Sequence, residues 1–291
     1  MVIDFHTHAF PEKIAEKTLG LLAKLSQVEP ETNGTISGLL SSMDEAGVDT
    51  SVILPVVTAP KQFDSIMRFA LKINEDFGFL DKTWEKKTMP KLVSFGGIHP
   101  DSADYKGELK ALADAGFPGI KLHPDYQGVF FNDIRYKRII SYAQELGMIV
   151  VTHAGMDVGL PDPVHCTLSM AAEVLKETEA TKLVLAHLGG YATWEETAEF
   201  FAHGIFKKGQ VYLDTAFSHP YIAPAQFTSI VQQAGEDHIL FATDSPWAGQ
   251  KEGVCWLKEQ RLPEEVKEKI GFWNGSALLL GEGKNFLEME S

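Results

Sequence analysis

An α/β barrel of eight parallel strands, each followed by a helix, is the fold this sequence predicts. Three observations carry that reading. Short β-branched or apolar runs alternate with longer amphipathic segments along the whole chain. Eight such units occupy about 250 residues, the usual length of a (β/α)8 TIM barrel. No GxGxxG stretch follows the first strand, which weakens the competing doubly wound open sheet. The strand runs are near-continuously apolar, as strands are when helices cover both faces of a parallel sheet. No low-complexity run or linker divides the chain, so residues 1–291 read as a single domain.

Each element follows in order. The first strand is VIDF (2–5), and residues 9–49 then hold two helical stretches separated by the turn-rich EPETNGTISG. The second of these ends at Asp44-Glu45-Ala46-Gly47, with glycine where the chain must leave the helix in a left-handed conformation. TSVIL (50–54) is the second strand, and residues 55–90 form another extended connection. These two long early βα insertions are expected over the barrel mouth, where they would shape a pocket or a subunit contact. KLVSFG (91–96) follows, then a helix ending at Asp114-Ala115-Gly116, then PGIKL (118–122). The segment 132–146 carries Ile134, Ile139, Ile140, Ala143 and Leu146 on one helical face, and Gly147 stops it. MIVVT (148–152), KLVLA (182–186), QVYLD (210–214) and HILFA (238–242) complete the strand set. From about residue 250 onward the pattern reads as extra C-terminal helices outside the barrel.

Composition narrows the function classes. Apolar residues make up 44% and charged residues 23%, which suits a soluble enzyme with a large core. No apolar run approaches the ~20 residues that cross a bilayer. Charged and polar residues from Asp4 onward leave no secretory leader pattern, so a cytoplasmic protein with no membrane partner is expected. A formal charge of -14 repels phosphate backbones, and the one near-cluster of basic residues, Arg135 to Arg138, fits an exposed helix face. Nucleic acid is therefore not an expected partner; a small-molecule substrate is, with a homodimer as the default assembly. Cys166 and Cys255 supply neither a disulfide framework nor a CxxC metal motif.

The histidines carry the chemistry. A barrel builds its active site at the C-terminal ends of its strands. Of ten histidines, seven fall there: His6, His8, His99, His123, His153, His187 and His219. Asp244 follows the eighth strand in FATDSPW. Residues two apart on a strand share a face, about 6.6 Å apart, so His6 and His8 can serve one ion. By the same parity Asp4 is expected a layer below them, and Leu185 on the face of His187. A lone histidine at a strand end is more often a hydrogen-bonded structural residue. For His99, His123 and His219 that reading competes, because His99-Pro100 and His123-Pro124 also read as turns. Several imidazoles plus one carboxylate suit Zn²⁺, with Mn²⁺, Fe²⁺ or Co²⁺ as alternatives, and leave a position open for water.

FHTHAFP, KLHP, VTHAG, LAHLGG, FATDSPW and NGSALLLG occur in the order seen in the amidohydrolase superfamily. The chain most resembles the amidohydrolase-related branch, which contains the aminocarboxymuconate semialdehyde decarboxylase-like proteins. That resemblance implies a (β/α)8 barrel holding a divalent metal, with His6, His8, His153 and Asp244 as ligands. It places His187 beside the metal-bound water as a proton-transfer residue, or on a second ion in binuclear relatives. Lys121 is the sole candidate for the carboxylated lysine of binuclear relatives; this branch generally lacks the modification, so one metal and an unmodified Lys121 are expected. Ala242 stands where the family often has glycine.

The expected reaction is metal-assisted hydrolysis of a C–N or C–O bond. Asp244 would touch the metal and accept the water's proton, and His187 would stabilise the oxyanion or protonate the leaving group. Lys121, His123, His99, Trp247 and Phe10 are the expected substrate-binding residues, with Phe217 a further wall of the pocket. The alternative is non-oxidative decarboxylation of a small unsaturated or aromatic acid. An arginine clamp would favour it, yet Arg68, Arg135, Arg138 and Arg261 are the only arginines and none directly follows a predicted strand. A TatD-type nuclease lacks support, because no glutamate occupies FGGIHPD or GIKLHP. A non-catalytic metal-binding barrel is the least favoured reading.

Overall fold

The computed structural model describes residues 1–80 and 91–280. Part of the predicted 55–90 connection and the end of the predicted tail therefore lie outside the described residues. The strands are β1 (Ile3–Thr7), β2 (Thr50–Ile53), β3 (in two segments, Leu92–Ser94 and Gly96–Gly97) and β4 (Gly119–Leu122). They continue as β5 (Ile149–Thr152), β6 (Leu183–Leu185), β7 (Tyr212–Asp214) and β8 (Ile239–Leu240). Each pairs with the next in parallel register. The Phe95 N–H donates to Ile53 O at 2.9 Å, carrying the ladder across the break in β3. Beyond β8 the chain returns to β1: Phe5 N–H donates to Phe241 O and Asp244 N–H to His6 O, both at 2.9 Å. A parallel bridge between Thr7 and Ser245 completes the ring.

Helices fill the intervals because their caps and apolar faces dictate it. Thr35, Asp104 and Thr167 each accept a backbone N–H three residues on, starting the helices Ile36–Ala46, Tyr105–Asp114 and Leu168–Thr178. Asp133 caps the helix Ile134–Glu145 in the same way from Arg135 N. Gly47 and Gly147 carry φ of 71° and 73° just past their helices, a conformation that costs glycine little.

Strand parity divides the apolar residues into two layers. Ile3, Phe5, Val52, Phe95, Val151 and Val184 fill the barrel interior. Their neighbours Ile53, Ile120, Val150, Leu185 and Leu213 face the helices and join the larger outer core. The tail does more than pack outside: Phe272 and Leu278 join the interior cluster, and Gly275 lies against Phe5 and Ile3. A barrel with apolar strands is open at its bottom, and these side chains stopper it.

Two parity expectations are corrected here. The β1–β2 register shifts between Asp4 and Thr7, so Asp4 does not sit beneath His6 in the barrel. Its carboxylate instead accepts from Thr243 N (3.0 Å) and Gln250 Nε2 (2.8 Å) between the strands and the helix Gln250–Glu259. Burial pushes its pKa up to about 6 despite those donors. Leu185 faces the outer core, and His187 reaches the mouth only because the chain turns sharply, with φ of 59° at His187 and 57° at Leu188.

If Phe272 is the stopper, Phe272→Ala should cost about 3–5 kcal/mol in urea unfolding. Its bound-metal stoichiometry should remain that of the parent protein, because the mouth lies at the opposite end.

Candidate metal centre

Where the interior apolar layer ends, the strand ends turn polar. Asp214, the last residue of β7, is fully buried and pins three chain segments. Its Oδ1 accepts from His187 N and Ala216 N, each at 3.0 Å, and its Oδ2 lies 2.9 Å from His6 Nδ1. The carboxylate sets the His6 tautomer: Nδ1 carries the proton and Nε2 keeps its lone pair. Carbonyls do the same elsewhere. His8 Nδ1–H donates to Leu54 O at 2.9 Å, and His187 Nδ1–H to Ala216 O at 2.8 Å. His187 Nε2 then accepts from His153 Nδ1 at 2.9 Å, which leaves His153 Nε2 bare, buried and without a hydrogen-bond partner.

The electrostatics keep these lone pairs available. Burial, reinforced by the Lys121 ammonium and neighbouring imidazoles, holds His6, His123 and His153 well below the ordinary histidine pKa. They are neutral at pH 7, the form that binds metals. Burial pushes the Asp244 carboxyl up, but His6 and His8 outweigh it and hold the group below the ordinary carboxylate range. Burial lowers Lys121 to about 8, against the pull of Asp214, Asp244 and Asp157. Its Nζ donates to His6 Nε2 at 2.9 Å.

Two groups of donor atoms result. His6, His8 and Asp244 bring one ligand atom each within 4.8 Å of one another, and so do His123, His153 and Asp157. The donor set fits a divalent cation: imidazoles held from behind stand beside carboxylates, and two buried imidazole nitrogens, His123 Nδ1 and His153 Nε2, have no hydrogen-bond partner among the described residues. His153, expected with the first group, stands in the second, because β5 lies across the barrel from β1 and its ring stacks on His123 at 4.3 Å.

These residues line one cavity of about 620 Å³, together with Phe10, Tyr126, Phe217 and Trp247. Both early insertions contribute walls, as the sequence predicts, through Ile14 and Leu22 and through Ile66 and Phe69. His99 does not join them: its Nδ1 accepts from Asp101 N at 3.1 Å within its own turn. His219 and Arg68 also lie outside the lining. Sequence reasoning missed Asp214 and Asp157. The first was legible as the terminal carboxylate of QVYLD, sharing parity with the inward Tyr212; the second stands four residues after His153 with no pattern to mark it. Among the described residues no helix is long and apolar enough to cross a membrane.

A closed parallel barrel with an imidazole–carboxylate cluster at the C-terminal ends of its strands defines a metal-dependent α/β-barrel enzyme. The chain belongs to the amidohydrolase family, whose model matches residues 3–274. No curated protein matches it significantly. Among solved structures it is similar to 5-carboxyvanillate decarboxylase from Sphingomonas paucimobilis, with 15% identity and a TM-score of 0.67 over 96% of this chain and 98% of that one. A dihydroxybenzoic acid decarboxylase from Polaromonas sp. JS666, solved with manganese and 2-nitroresorcinol, gives 15% identity and 0.68 over 96% of both chains. An uncharacterised TIM-barrel protein from Bordetella bronchiseptica gives 16% identity and 0.73 over 96% of this chain and 98% of that one.

These findings correct the expectation of hydrolysis. The activities named for these similar structures are decarboxylations of aromatic acids. The physical reason is that a ligand set specifies where a cation sits and leaves the bond to be broken unspecified.

Because Asp214 orients His6, Asp214→Asn should weaken metal binding about 10- to 100-fold. Competition against a chromophoric chelator measures this, and an unchanged affinity would remove Asp214 from the site.

Proposed function

We propose that the protein is a metal-dependent decarboxylase that removes CO₂, without oxidation, from an aromatic or unsaturated carboxylic acid. The observation that carries this reading is the match, over 96% of the chain, to structures of enzymes that decarboxylate aromatic acids. The cavity supports it: among the described residues Lys121 is the one lysine or arginine in its lining, a cationic anchor in place of the absent arginine clamp.

His6, His8 and Asp244 would hold one divalent ion, with His153, which stands with His123 and Asp157, as a further donor at the same mouth. Zinc and manganese both suit such nitrogen and oxygen donors, and elemental analysis distinguishes them. When bound, the ion supplies positive charge that orients the substrate's oxygens. Lys121, unmodified, pairs with the incoming carboxylate. Asp244, ionised at rest, takes up a proton from solvent and passes it to the carbon that bears the carboxylate, returning to its ionised form, while His187, fixed by Ala216 O and Asp214, positions the substrate. A C–H bond forms, the C–C bond to the carboxylate breaks, its electron pair restores the unsaturated system, and CO₂ leaves. The apolar wall keeps water from the reacting carbon. A homodimer in the cytoplasm completes the reading.

In D₂O the product should carry one deuterium at the vacated carbon, and Asp244→Asn should lower kcat at least about 100-fold. Incorporation of solvent oxygen with no CO₂ released would refute the reading. The Lys121 ammonium is present below its pKa of about 8 and lost above it. KM should therefore rise as pH passes about 8, and Lys121→Met should raise KM at pH 7 and abolish that rise.

A further inference from the structure

The cavity is built for more than its reacting end. Its imidazole, carboxylate and ammonium lining groups cluster at the base, where His6, His8, Lys121, His123, Asp157 and Asp244 converge. The outer wall is mainly apolar, with the small polar side chains Thr18, Ser26, Thr58, Gln62 and Ser65 set among aliphatic and aromatic ones, and three stretches of chain supply most of its apolar surface. Ile14, Leu21 and Leu22 come from the helix Glu12–Ser26, Ile66 and Phe69 from the helix Phe63–Asp76, and Met156 and Val158 from the loop after β5. Met156 and Val158 flank Asp157, so the apolar wall is continuous with the polar base along a single strand end.

Length decides what this wall is for. Ile14 and Leu21 are seven residues apart, about 10 Å along the helix axis at 1.5 Å per residue. A compact one-ring acid seated at the base does not cover both. Leu21 is 62% exposed and Ile14 49%, while Ala15 and Leu19 on the same helix are buried. Cavities of about 300–1,000 Å³ take drug-sized molecules, and this one measures about 620 Å³.

We propose that the substrate is a carboxylic acid with an extended apolar arm (a second ring or an alkyl chain of several carbons) lying between the helices Glu12–Ser26 and Phe63–Asp76. The inference rests on the decarboxylase reading only for the chemistry at the carboxyl end. The occupant is set by continuity: the apolar surface begins beside the base at Met156 and Val158, so a molecule held there by Lys121 can extend along it between the two helices.

The test uses the metal-loaded, full-length protein and 4-alkyl-2-hydroxybenzoates from the unsubstituted acid to the hexyl compound. Affinity is measured by calorimetry, and CO₂ release is followed in parallel. Kd should fall about fourfold per added methylene until the wall is covered, the ratio that ~0.8 kcal/mol per buried methylene gives. Leu21→Glu, at an exposed position that leaves folding intact, should shrink the hexyl-to-unsubstituted affinity ratio at least tenfold. Ile205→Glu, also exposed but outside the cavity lining, should leave the ratio unchanged. A Kd independent of chain length overturns the inference. So does a Leu21→Glu protein that keeps the full ratio but sediments as a smaller assembly, which would make the apolar stripe a contact between copies. CO₂ release without length dependence sinks the inference and spares the decarboxylase reading. Tightening with length but no CO₂ from any acid does the reverse.

Discussion

Everything at the mouth of this barrel depends on one buried carboxylate. Asp214 accepts hydrogen bonds from the His6 ring and from the backbone of His187 and Ala216. One side chain thus locks the end of β1 to the chain following β6 and β7. A buried carboxylate is costly unless every lone pair finds a donor, and burial already raises its pKa. The surrounding backbone must therefore supply N–H groups at fixed positions, and the left-handed turn at His187 and Leu188 does so. The strained turn and the oriented imidazole are two consequences of the same requirement.

The rest of the site follows from desolvation. The interior layer of aliphatic and aromatic side chains ends abruptly beneath a ring of histidines. Burial there keeps His6, His123 and His153 neutral, and Nδ1 of His6, His8 and His187 is occupied by a fixed acceptor. Neutral nitrogen donors beside Asp244 make a place where a cation is stabilised more than a proton. Folding free energy from the apolar core is what holds these polar groups together.

The correction from hydrolysis to decarboxylation has a plain chemical origin. Both reactions want a cation to organise oxygen atoms and a carboxylate to move a proton. They differ in what occupies the space beside the ion, water or a substrate carbon, and that depends on loops with little internal grammar. The missing arginine clamp pointed towards hydrolysis, although Lys121, already an expected substrate-binding residue, places a cation in the cavity lining from β4.

Much of the fold was legible because its determinants are local. Strand runs, the glycines after helices, and histidines at strand ends are written in periods of two to four residues, and they located His6, His8, His153, His187 and Asp244 in one mouth. Other features depend on contacts between distant segments. The shift in β1 that turns Asp4 outward, the withdrawal of His99 into its own turn, and the division of donors into two groups needed the closed barrel. So did the arrival of Phe272 at its base. By itself the sequence determined which residues stand at the strand ends, since alternation along a strand is a property of the backbone. Only the tertiary structure decided which of them face one another, because that is fixed by closure of the ring and by the hydrogen bonds a buried carboxylate must find.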